Sequence, residues 1–161
     1  MPVHRTLPYS EQEERLADSW IATMNALNVV LYEASDGRVA GRIPSGLPLL
    51  LLRTLGRTTG RWRTVTVAYL RDGDSYLVVG SKGGLSRSPQ WVRNVEAHEV
   101  VHVQVGADRF QCVATRLDDD AAEQALERFA PYYRAFREYG VRAAQRGRTI
   151  PVLRLTPIAP A

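Results

Sequence analysis

Tight turns in the middle of the chain separate segments in which apolar and polar residues alternate. Asp72-Gly73-Asp74 lies between a strand-like run at 64–71 and a second run at 76–79, and a similar turn begins at Gly106. Short connections that contain Asp-Gly or Gly are typical of hairpins. Because a hairpin joins neighbouring antiparallel strands, these turns predict an antiparallel sheet.

Six strand-like runs follow one another from residue 47 onward. They lack the regular alternation with helices that marks a dinucleotide-binding fold, so that fold class is excluded. The prediction is a mainly β, α+β fold built on an antiparallel sheet or small barrel. Pro151 restricts the last run to a sheet edge or places the proline at the start of its strand. The runs cover 48–52, 64–71, 76–79, 100–105, 110–116 and 149–155.

An amphipathic helix is predicted over residues 11–31. Ser10 and Glu13 have the spacing of a capping box, and the first turn is acidic. Apolar residues then recur at helical spacing, which predicts that their stripe packs against the protein core. A subunit interface, a lid or a membrane-surface contact stays open for this helix, although its acidic start disfavours a membrane. The stripe consists of Leu16, Trp20, Met24, Leu27 and Leu31.

Two shorter helices are predicted between and after the hairpins. Ser88 is expected to cap a helix over 89–97 that has proline at its first position. Another helix is expected to begin at 118–120, where three aspartates suit a positive helix end. Pro131 then starts or kinks a continuation to about residue 146.

Size, cysteine content and charge limit the functions of the chain. Its 161 residues predict one domain, 1–161, with a strand-rich core at 47–155. The single cysteine, Cys112, excludes an internal disulfide and cysteine-based zinc sites, its alternation with apolar neighbours predicts burial, and no metal site is expected. No apolar run reaches the roughly 18 residues of a membrane span. The lone cysteine fits a reducing compartment, so a cytoplasmic protein is expected.

A basic charge balance permits an anionic partner. The net charge is +4 and the isoelectric point is about 9.6. Arginines concentrate around a turn at 53–63 and again at 134–148. Because no nucleic-acid-binding motif accompanies them, a nucleic-acid partner is not expected.

Two glycine-containing segments have the composition of anion-binding loops. Gly56–Arg63 combines turn glycines with hydroxyls and guanidiniums, although an exposed arginine-rich turn remains the alternative. Ser81-Lys82-Gly83-Gly84 follows a buried run and holds the only lysine of the chain, just before a predicted helix start. Lys82 could meet a phosphate or a polarised ring oxygen there, or lie in a surface loop.

Aromatic residues cluster late in the chain at helical spacing. Core packing is the default interpretation, and a lid over a flat redox-active ring is the alternative. The cluster consists of Phe129, Tyr132, Tyr133, Phe136 and Tyr139.

Taken in order, these motifs resemble the deazaflavin (F420)-dependent nitroreductase family, which lies within the split β-barrel flavin and deazaflavin oxidoreductases. The resemblance covers most of the chain from about residue 20 onward. No single motif makes the resemblance specific; the order and spacing of all the motifs together do. The matching segments are 28–32, Gly37-Arg38, Gly41-Arg42, 56–60, 69–73, 81–84, 88–94 and 148–152.

The resemblance implies a fold and a coenzyme. The fold is an antiparallel six-stranded split β-barrel of the FMN-binding type, with N-terminal and C-terminal-half helices packed around it. The coenzyme is F420, an 8-hydroxy-5-deazaflavin with a phosphate and an oligoglutamate tail. Arg57, Thr58 and Arg63 would face the phosphate and the tail, although the family often has lysine where this chain has Thr58. The remaining coenzyme-binding residues would be Val79, Gly80, Ser81, Lys82, Gly83, Gly84, Trp91 and Asn94.

The resemblance also implies a reaction: hydride transfer from reduced F420 to a conjugated acceptor such as a quinone, enone or nitroaromatic. Ser81 and Tyr133 are the candidate catalytic residues, with solvent as a further proton source. Two alternatives stay open, an FMN-dependent reductase on the same fold and a non-catalytic carrier of a coenzyme or related ligand. A monomer and a homodimer are both open, as is a peripheral membrane contact. The acceptor would lie against Tyr132, Tyr133, Phe136 and Tyr139.

Overall fold

A closed barrel of six antiparallel strands forms the centre of the molecule. The structure is a computed structural model and describes residues 10–80, 88–132 and 149–158. Around the barrel the strands follow the order β1-β2-β3-β6-β5-β4. The elements are α1 (Glu11–Ser35), β1 (Leu49–Leu55), β2 (Trp62–Asp72), β3 (Ser75–Val79), α2 (Gln90–Ala97), β4 (Val100–Val105), β5 (Asp108–Arg116), α3 (Asp119–Phe129) and β6 (Val152–Pro157).

The hairpins predicted from the sequence are confirmed. Gly73 and Gly106 both adopt positive φ, at 63° and 60°, in the two-residue turns that join β2 to β3 and β4 to β5. Both turns pair their strands antiparallel, as Asp72 opposite Ser75 and Val105 opposite Asp108 show. The six-stranded antiparallel barrel and its mainly β character are therefore confirmed.

The barrel interior follows from the alternation of side chains along each strand. Apolar residues at every second position point inward, and α2 adds further apolar side chains that close one end of the barrel. Cys112 is fully buried there, as predicted. The interior cluster includes Leu50, Leu52, Val67, Tyr76, Val78, Val103, Cys112, Leu153 and Leu155, with Trp91, Val92 and Val95 from α2.

Two helices cover the outside of the barrel. Phe129 of α3 is fully buried in a cluster with Leu77 and Val152, on the outer face of β3 and β6. Tyr32, near the end of α1, is buried against Leu49 and Leu51 of β1. Each helix thus covers a face that the barrel does not bury by itself.

The first helix corrects the prediction about its apolar stripe. Its capping box at Ser10 is confirmed, but the helix continues to Ser35. Much of the stripe expected to face the core is exposed, with Leu16 67% and Trp20 65% accessible. The side chains that contact the barrel lie on another face. Tyr32 is buried, Val29 packs beside it, and Asn25 bonds to the backbone of β2. The face that contacts the barrel therefore combines a buried aromatic residue with hydrogen bonds to strand backbone, and the more apolar stripe lies outside it.

Two smaller corrections concern proline. Pro89 itself is the N-cap of α2, and no side-chain capping bond is formed, so Ser88 is not the cap. Pro151 precedes β6, which pairs with β3 and β5 in a closed barrel. The strand-start alternative for Pro151 is therefore right and the sheet-edge alternative is wrong. The predicted continuation of α3 to about residue 146 lies mostly outside the described residues.

The two ends of the barrel are built differently. The α2 end carries helix α2 and the loop between β1 and β2, residues 56–61, which we call the arginine loop. The opposite end carries the hairpin turns at Gly73 and Gly106 and the connection from α1 to β1, residues 36–48. Six residue steps along β1 separate them, which corresponds to about 20 Å.

Candidate coenzyme site at the alpha2 end of the barrel

The arginine loop turns back on itself through backbone hydrogen bonds. The Gly56 N–H donates to the Arg61 carbonyl at 2.8 Å, and the Gly60 N–H donates to the Gly56 carbonyl at 2.9 Å. Gly60 has φ +65°, which favours glycine. At Gly56 a Cβ would come within 2.9 Å of the Arg61 carbonyl oxygen. These contacts fix the course of the loop before any side chain contributes.

Asn94 of α2 holds the loop against the helix. Its Oδ1 accepts from the Arg57 N–H at 3.2 Å, and its Nδ2 donates to Thr54 Oγ1 at 3.1 Å. Asn94 is 4% exposed and Thr54 is fully buried, so both groups of the amide are used where water has little access. A second link joins Arg57 Nη1 to Gln90 Oε1 at 2.8 Å. Helix α2 therefore sets the position of the loop backbone and of one guanidinium.

Four exposed arginines surround this end. Over residues 10–80, 88–132 and 149–158, none of them forms an ion pair with a carboxylate. Arg63 stands directly opposite Thr54 in the β1–β2 ladder, which brings it to the side of the sheet that Asn94 contacts. Unpaired guanidiniums on a fixed loop favour a phosphate or carboxylate ligand. The four are Arg57, Arg61, Arg63 and Arg93.

The other predicted binding residues of this end divide into exposed and buried ones. Thr58 is exposed on the arginine loop. Trp91 is buried in the barrel interior, and Val79 packs with α3 on the outer face of the barrel. The Gly80 N–H donates to the Pro151 carbonyl at 2.9 Å, and a Cβ at Gly80 would lie 2.7 Å from Val92 Cγ2. The end of β3 is thus packed directly against α2.

Part of the predicted site falls elsewhere. Tyr132 is 47% exposed just after α3, where its N–H donates to the Phe129 carbonyl at 3.0 Å. The remaining predicted residues lie outside the described residues; they are Ser81, Lys82, Gly83, Gly84, Tyr133, Phe136 and Tyr139.

Two residues of this end were missed in the sequence. Thr54 occupies an inward position of β1 after two leucines, and a polar residue in an inward series is a signal for a buried hydrogen bond. Gln90 begins α2 directly after Pro89. Among the described residues, its side chain is the only one that forms a hydrogen bond with the Arg57 guanidinium. Its role depends on tertiary proximity, which no local pattern encodes.

Other chemistries have no counterpart in the described residues. No group of three or more metal-ligating side chains occurs among them. Burial raises the pKa of the Cys112 thiol to about 11, so the thiol is protonated and unreactive near neutral pH. No helix in the described part is long and apolar enough to cross a membrane.

A closed six-stranded barrel with a basic loop at one end is the architecture of the split β-barrel flavin and deazaflavin oxidoreductases. Within that class, the sequence model of the F420H(2)-dependent quinone reductases matches residues 24–157. The chain belongs to this family, and the resemblance drawn from the motifs is confirmed.

Relatives and solved structures agree with this assignment. An F420H(2)-dependent quinone reductase of Mycobacterium tuberculosis (strain ATCC 25618 / H37Rv) is 46% identical over 88 residues, which is 55% of this chain and 59% of the relative. The chain thus matches little more than half the length of that relative. A structure of an F420-H2 dependent reductase (FDR-A) has a TM-score of 0.59 and 29% identity, covering 67% of this chain and 93% of the other. A structure described as a domain-swapped dimer has a TM-score of 0.60 and 25% identity, covering 86% and 98%.

Proposed function

We propose that this chain is an F420-dependent reductase that reduces a quinone or a similar conjugated small molecule. The observation that carries the proposal is the basic α2 end: four exposed guanidiniums without carboxylate partners in the described part of the chain, on and beside a loop whose backbone is held by Asn94. A family defined by F420H(2) dependence supports it. The donor set also suits the coenzyme, because F420 carries a phosphate and a chain of carboxylates.

The residues of the α2 end divide into contact and positioning roles. Arg57 and Arg63 would grip the phosphate and the acidic tail, and Thr58 would donate from its hydroxyl. Asn94 would act through the loop, because its bond to the Arg57 N–H fixes the backbone from which the guanidinium extends. Trp91 would support the site from the barrel interior, where it is buried.

The segment after β3 would hold the ring. Gly80, the residue before this segment, is fixed between Pro151 and α2. Ser81 and Lys82 would donate to the ring and its ribityl chain, and Val79 would contribute backbone there. When bound, reduced F420 supplies the hydride. Ser81, Tyr133 or solvent would deliver the proton to the acceptor, and the aromatic residues Tyr132, Tyr133, Phe136 and Tyr139 would cover it and exclude water.

Titration with two coenzymes tests the proposal. Purified protein is titrated with F420 and, separately, with FMN, with ring fluorescence as the readout. We expect F420 to bind and to be oxidised in the presence of a quinone. Binding of FMN without F420 would favour an FMN-dependent reductase. Tight F420 binding without turnover of quinone, enone or nitroaromatic acceptors would favour the carrier.

Arginine variants test the placement of the coenzyme. Arg57→Ala and Arg63→Ala should each raise the Kd for F420 about tenfold, the loss of one charge-assisted contact of about 1.4 kcal/mol. Arg154→Ala is the matched control, because this exposed arginine pairs with Asp72. Equal affinities in all three variants would contradict the placement, and a coenzyme with a truncated glutamate tail would show whether Arg63 contacts the tail.

The assembly and location of the protein are proposals of the same kind. A homodimer is the first state to test, because a relative with 25% sequence identity is described as a domain-swapped dimer; light scattering separates it from a monomer. We propose a cytoplasmic location. A peripheral membrane contact through the exposed stripe at Leu16 and Trp20 is a second proposal, and co-sedimentation with vesicles tests it.

A further inference from the structure

A polar cavity of about 430 Å³ lies at the barrel end opposite α2. It is formed where the connection after α1 passes the start of β1 and the β4–β5 turn. Its volume is within the range of small-molecule sites. The residues that matter for its chemistry are Tyr32, Arg38, Arg42 and Tyr69, together with the backbone at Gly41 and Gly106.

The frame of this cavity is fixed by close backbone contacts. The Tyr32 hydroxyl donates to the Leu49 carbonyl at 3.1 Å and accepts from the Gly106 N–H at 2.9 Å. A Cβ at Gly37 would lie 2.9 Å from the Tyr32 ring, and one at Gly41 would lie 1.9 Å from the Gly37 carbonyl oxygen. The connection is therefore closed onto Tyr32 with no room for larger residues at either glycine.

Two arginines on this frame lack acidic partners within the described residues. The Arg38 Nε donates to the Ser35 carbonyl at 3.2 Å, and Arg42 Nη1 donates to the Gly46 carbonyl at 2.8 Å. Each guanidinium is thereby oriented by one backbone bond and keeps several free N–H donors. Neither joins an ion pair in the described part of the chain. The nearest acidic side chain in sequence, Asp36, faces Arg109 at 3.7 Å.

A tyrosine hydroxyl completes the donor set. Tyr69 is half-buried, packs edge-on against the Tyr76 ring at 5.4 Å, and lines the same cavity. Its hydroxyl makes no hydrogen bond to any residue that the structure describes. Burial raises the pKa of Tyr69, so the hydroxyl is protonated and can donate. The cavity therefore has two guanidiniums and one phenol as donors, with no carboxylate among its lining residues.

We propose that this cavity is a second ligand site, distinct from the coenzyme site, which binds a small oxyanion through Arg38, Arg42 and Tyr69. Two guanidiniums and one hydroxyl match the oxygen atoms of a phosphate or carboxylate group. The site does not depend on the proposed function, because it lies at the other end of the barrel, about 20 Å away along β1.

Anion titration at constant ionic strength tests the site. The full chain is titrated with sodium phosphate or sodium malonate against sodium chloride, and the Tm and the amide resonances of Gly41 and Gly106 are followed. We expect both resonances to shift and the Tm to rise with phosphate or malonate beyond the chloride control. The double variant Arg38→Gln/Arg42→Gln should raise the Kd at least about tenfold, and Tyr69→Phe should raise it by about two- to fivefold.

Three comparisons decide the outcome. Arg57→Ala/Arg63→Ala, which alters the coenzyme end, should leave the anion-dependent shifts of the Gly41 and Gly106 resonances unchanged; a loss of these shifts as large as in the Arg38/Arg42 variant would overturn the proposal. So would equal shifts in wild type and double variant, or the absence of an anion-specific shift combined with no retention by vesicles that contain phosphatidate. Vesicles with phosphatidate identify the source of the group: retention by them without binding of free phosphate or malonate would assign the site to lipid headgroups.

Discussion

At both ends of the barrel, one buried polar side chain holds the backbone of a loop, although the ligands proposed for the two ends differ. At the α2 end the buried amide of Asn94 accepts from the Arg57 N–H and donates to Thr54. At the opposite end the buried hydroxyl of Tyr32 accepts from the Gly106 N–H and donates to the Leu49 carbonyl. In each case one buried polar side chain on a helix ties down a loop backbone at the barrel rim.

Each end holds both paired and unpaired arginines. At the opposite end Arg128 and Arg154 both pair with Asp72 at 2.9 Å, and Arg109 approaches Asp36 at 3.7 Å. At the α2 end Arg116 pairs with Glu96 of α2 at 2.9 Å. The arginines of the loop have no carboxylate partner in the described residues. Arginines paired with carboxylates stabilise the fold, whereas unpaired ones on a fixed loop remain available to a ligand. Arg38 and Arg42 follow the second pattern although they belong to the opposite end, which is why that cavity stands out.

Replacement of Asn94 tests the attachment of the arginine loop and should have the largest effect. Asn94→Ala leaves the buried Thr54 hydroxyl and the Arg57 N–H without their partner, which costs about 2–4 kcal/mol in the free energy of unfolding. Denaturant unfolding measures it. We also expect weaker F420 binding, because the Arg57 backbone is no longer held.

The variant Asn94→Asp tests whether two acceptors can replace the amide. It keeps an acceptor for the Arg57 N–H and an acceptor for the Thr54 hydroxyl, so it should lose less stability than Asn94→Ala. If both variants are as stable as the wild type, the amide does not hold the loop. The two ends would then not share a buried polar side chain that fixes a loop.

Gly80→Ala tests how tightly β3 is packed on α2. The added Cβ would lie 2.7 Å from Val92 Cγ2 and 3.0 Å from Pro151 Cγ, so side chains must move. We expect a loss of about 1–3 kcal/mol in the free energy of unfolding.

A double-mutant cycle with Val92→Ala checks the cause of that loss. Val92→Ala opens space in the core and is destabilising alone, but Gly80→Ala should cost less in its background than in the wild type. Strict additivity of the two changes would show that the loss at Gly80 has another origin.

Tyr32→Phe tests the corresponding attachment at the opposite end. It removes a hydroxyl that makes bonds of 3.1 and 2.9 Å to backbone groups, at a cost of about 1–2 kcal/mol. Tyr132→Phe is the matched control, because its ring is 47% exposed, and should be neutral in the same urea titration. Burial raises the pKa of Tyr32, so its stabilising contribution is present below the ordinary tyrosine pKa and is lost as pH rises through the raised value. An unchanged unfolding midpoint for Tyr32→Phe would show that the Tyr32 hydroxyl does not hold the loop as Asn94 does at the α2 end.

Much of the barrel was predictable because its signals are local. The turn at Gly73 needs positive φ, and the alternation of Val65, Val67 and Tyr69 is that of a strand with one face in the core. The family motifs indicated the arginine loop in the same way, since Gly56 and Gly60 shape it without help from distant residues.

The parts that were wrong or missed depend on contacts between distant segments. Helix α1 was expected to bury Leu16 and Trp20, but the face that meets the barrel carries Asn25, which donates to the Thr64 carbonyl and accepts from the Thr66 N–H of β2. Hydrophobic periodicity considers only apolar side chains, so it does not detect a helix face that is held by hydrogen bonds. Likewise, Gln90 reaches Arg57 across 33 positions of the chain. The placement of the coenzyme around these residues remains a prediction.

Asp72→Asn tests the charge pairing of the opposite end and should have the smallest effect. Hydrogen bonds from Arg128 and Arg154 hold the pKa of the Asp72 carboxyl below its usual value. Its contribution is therefore present above the ordinary aspartate pKa and is lost as pH falls through the lowered one. Because these side chains are partly exposed, we expect a loss below about 1 kcal/mol at pH 7 that shrinks in high salt. Urea unfolding at neutral and at acidic pH measures it, with Asp74→Asn in the same turn as control. A difference that persists at acidic pH would mean that Asp72 acts through the geometry of the turn and not through its charge.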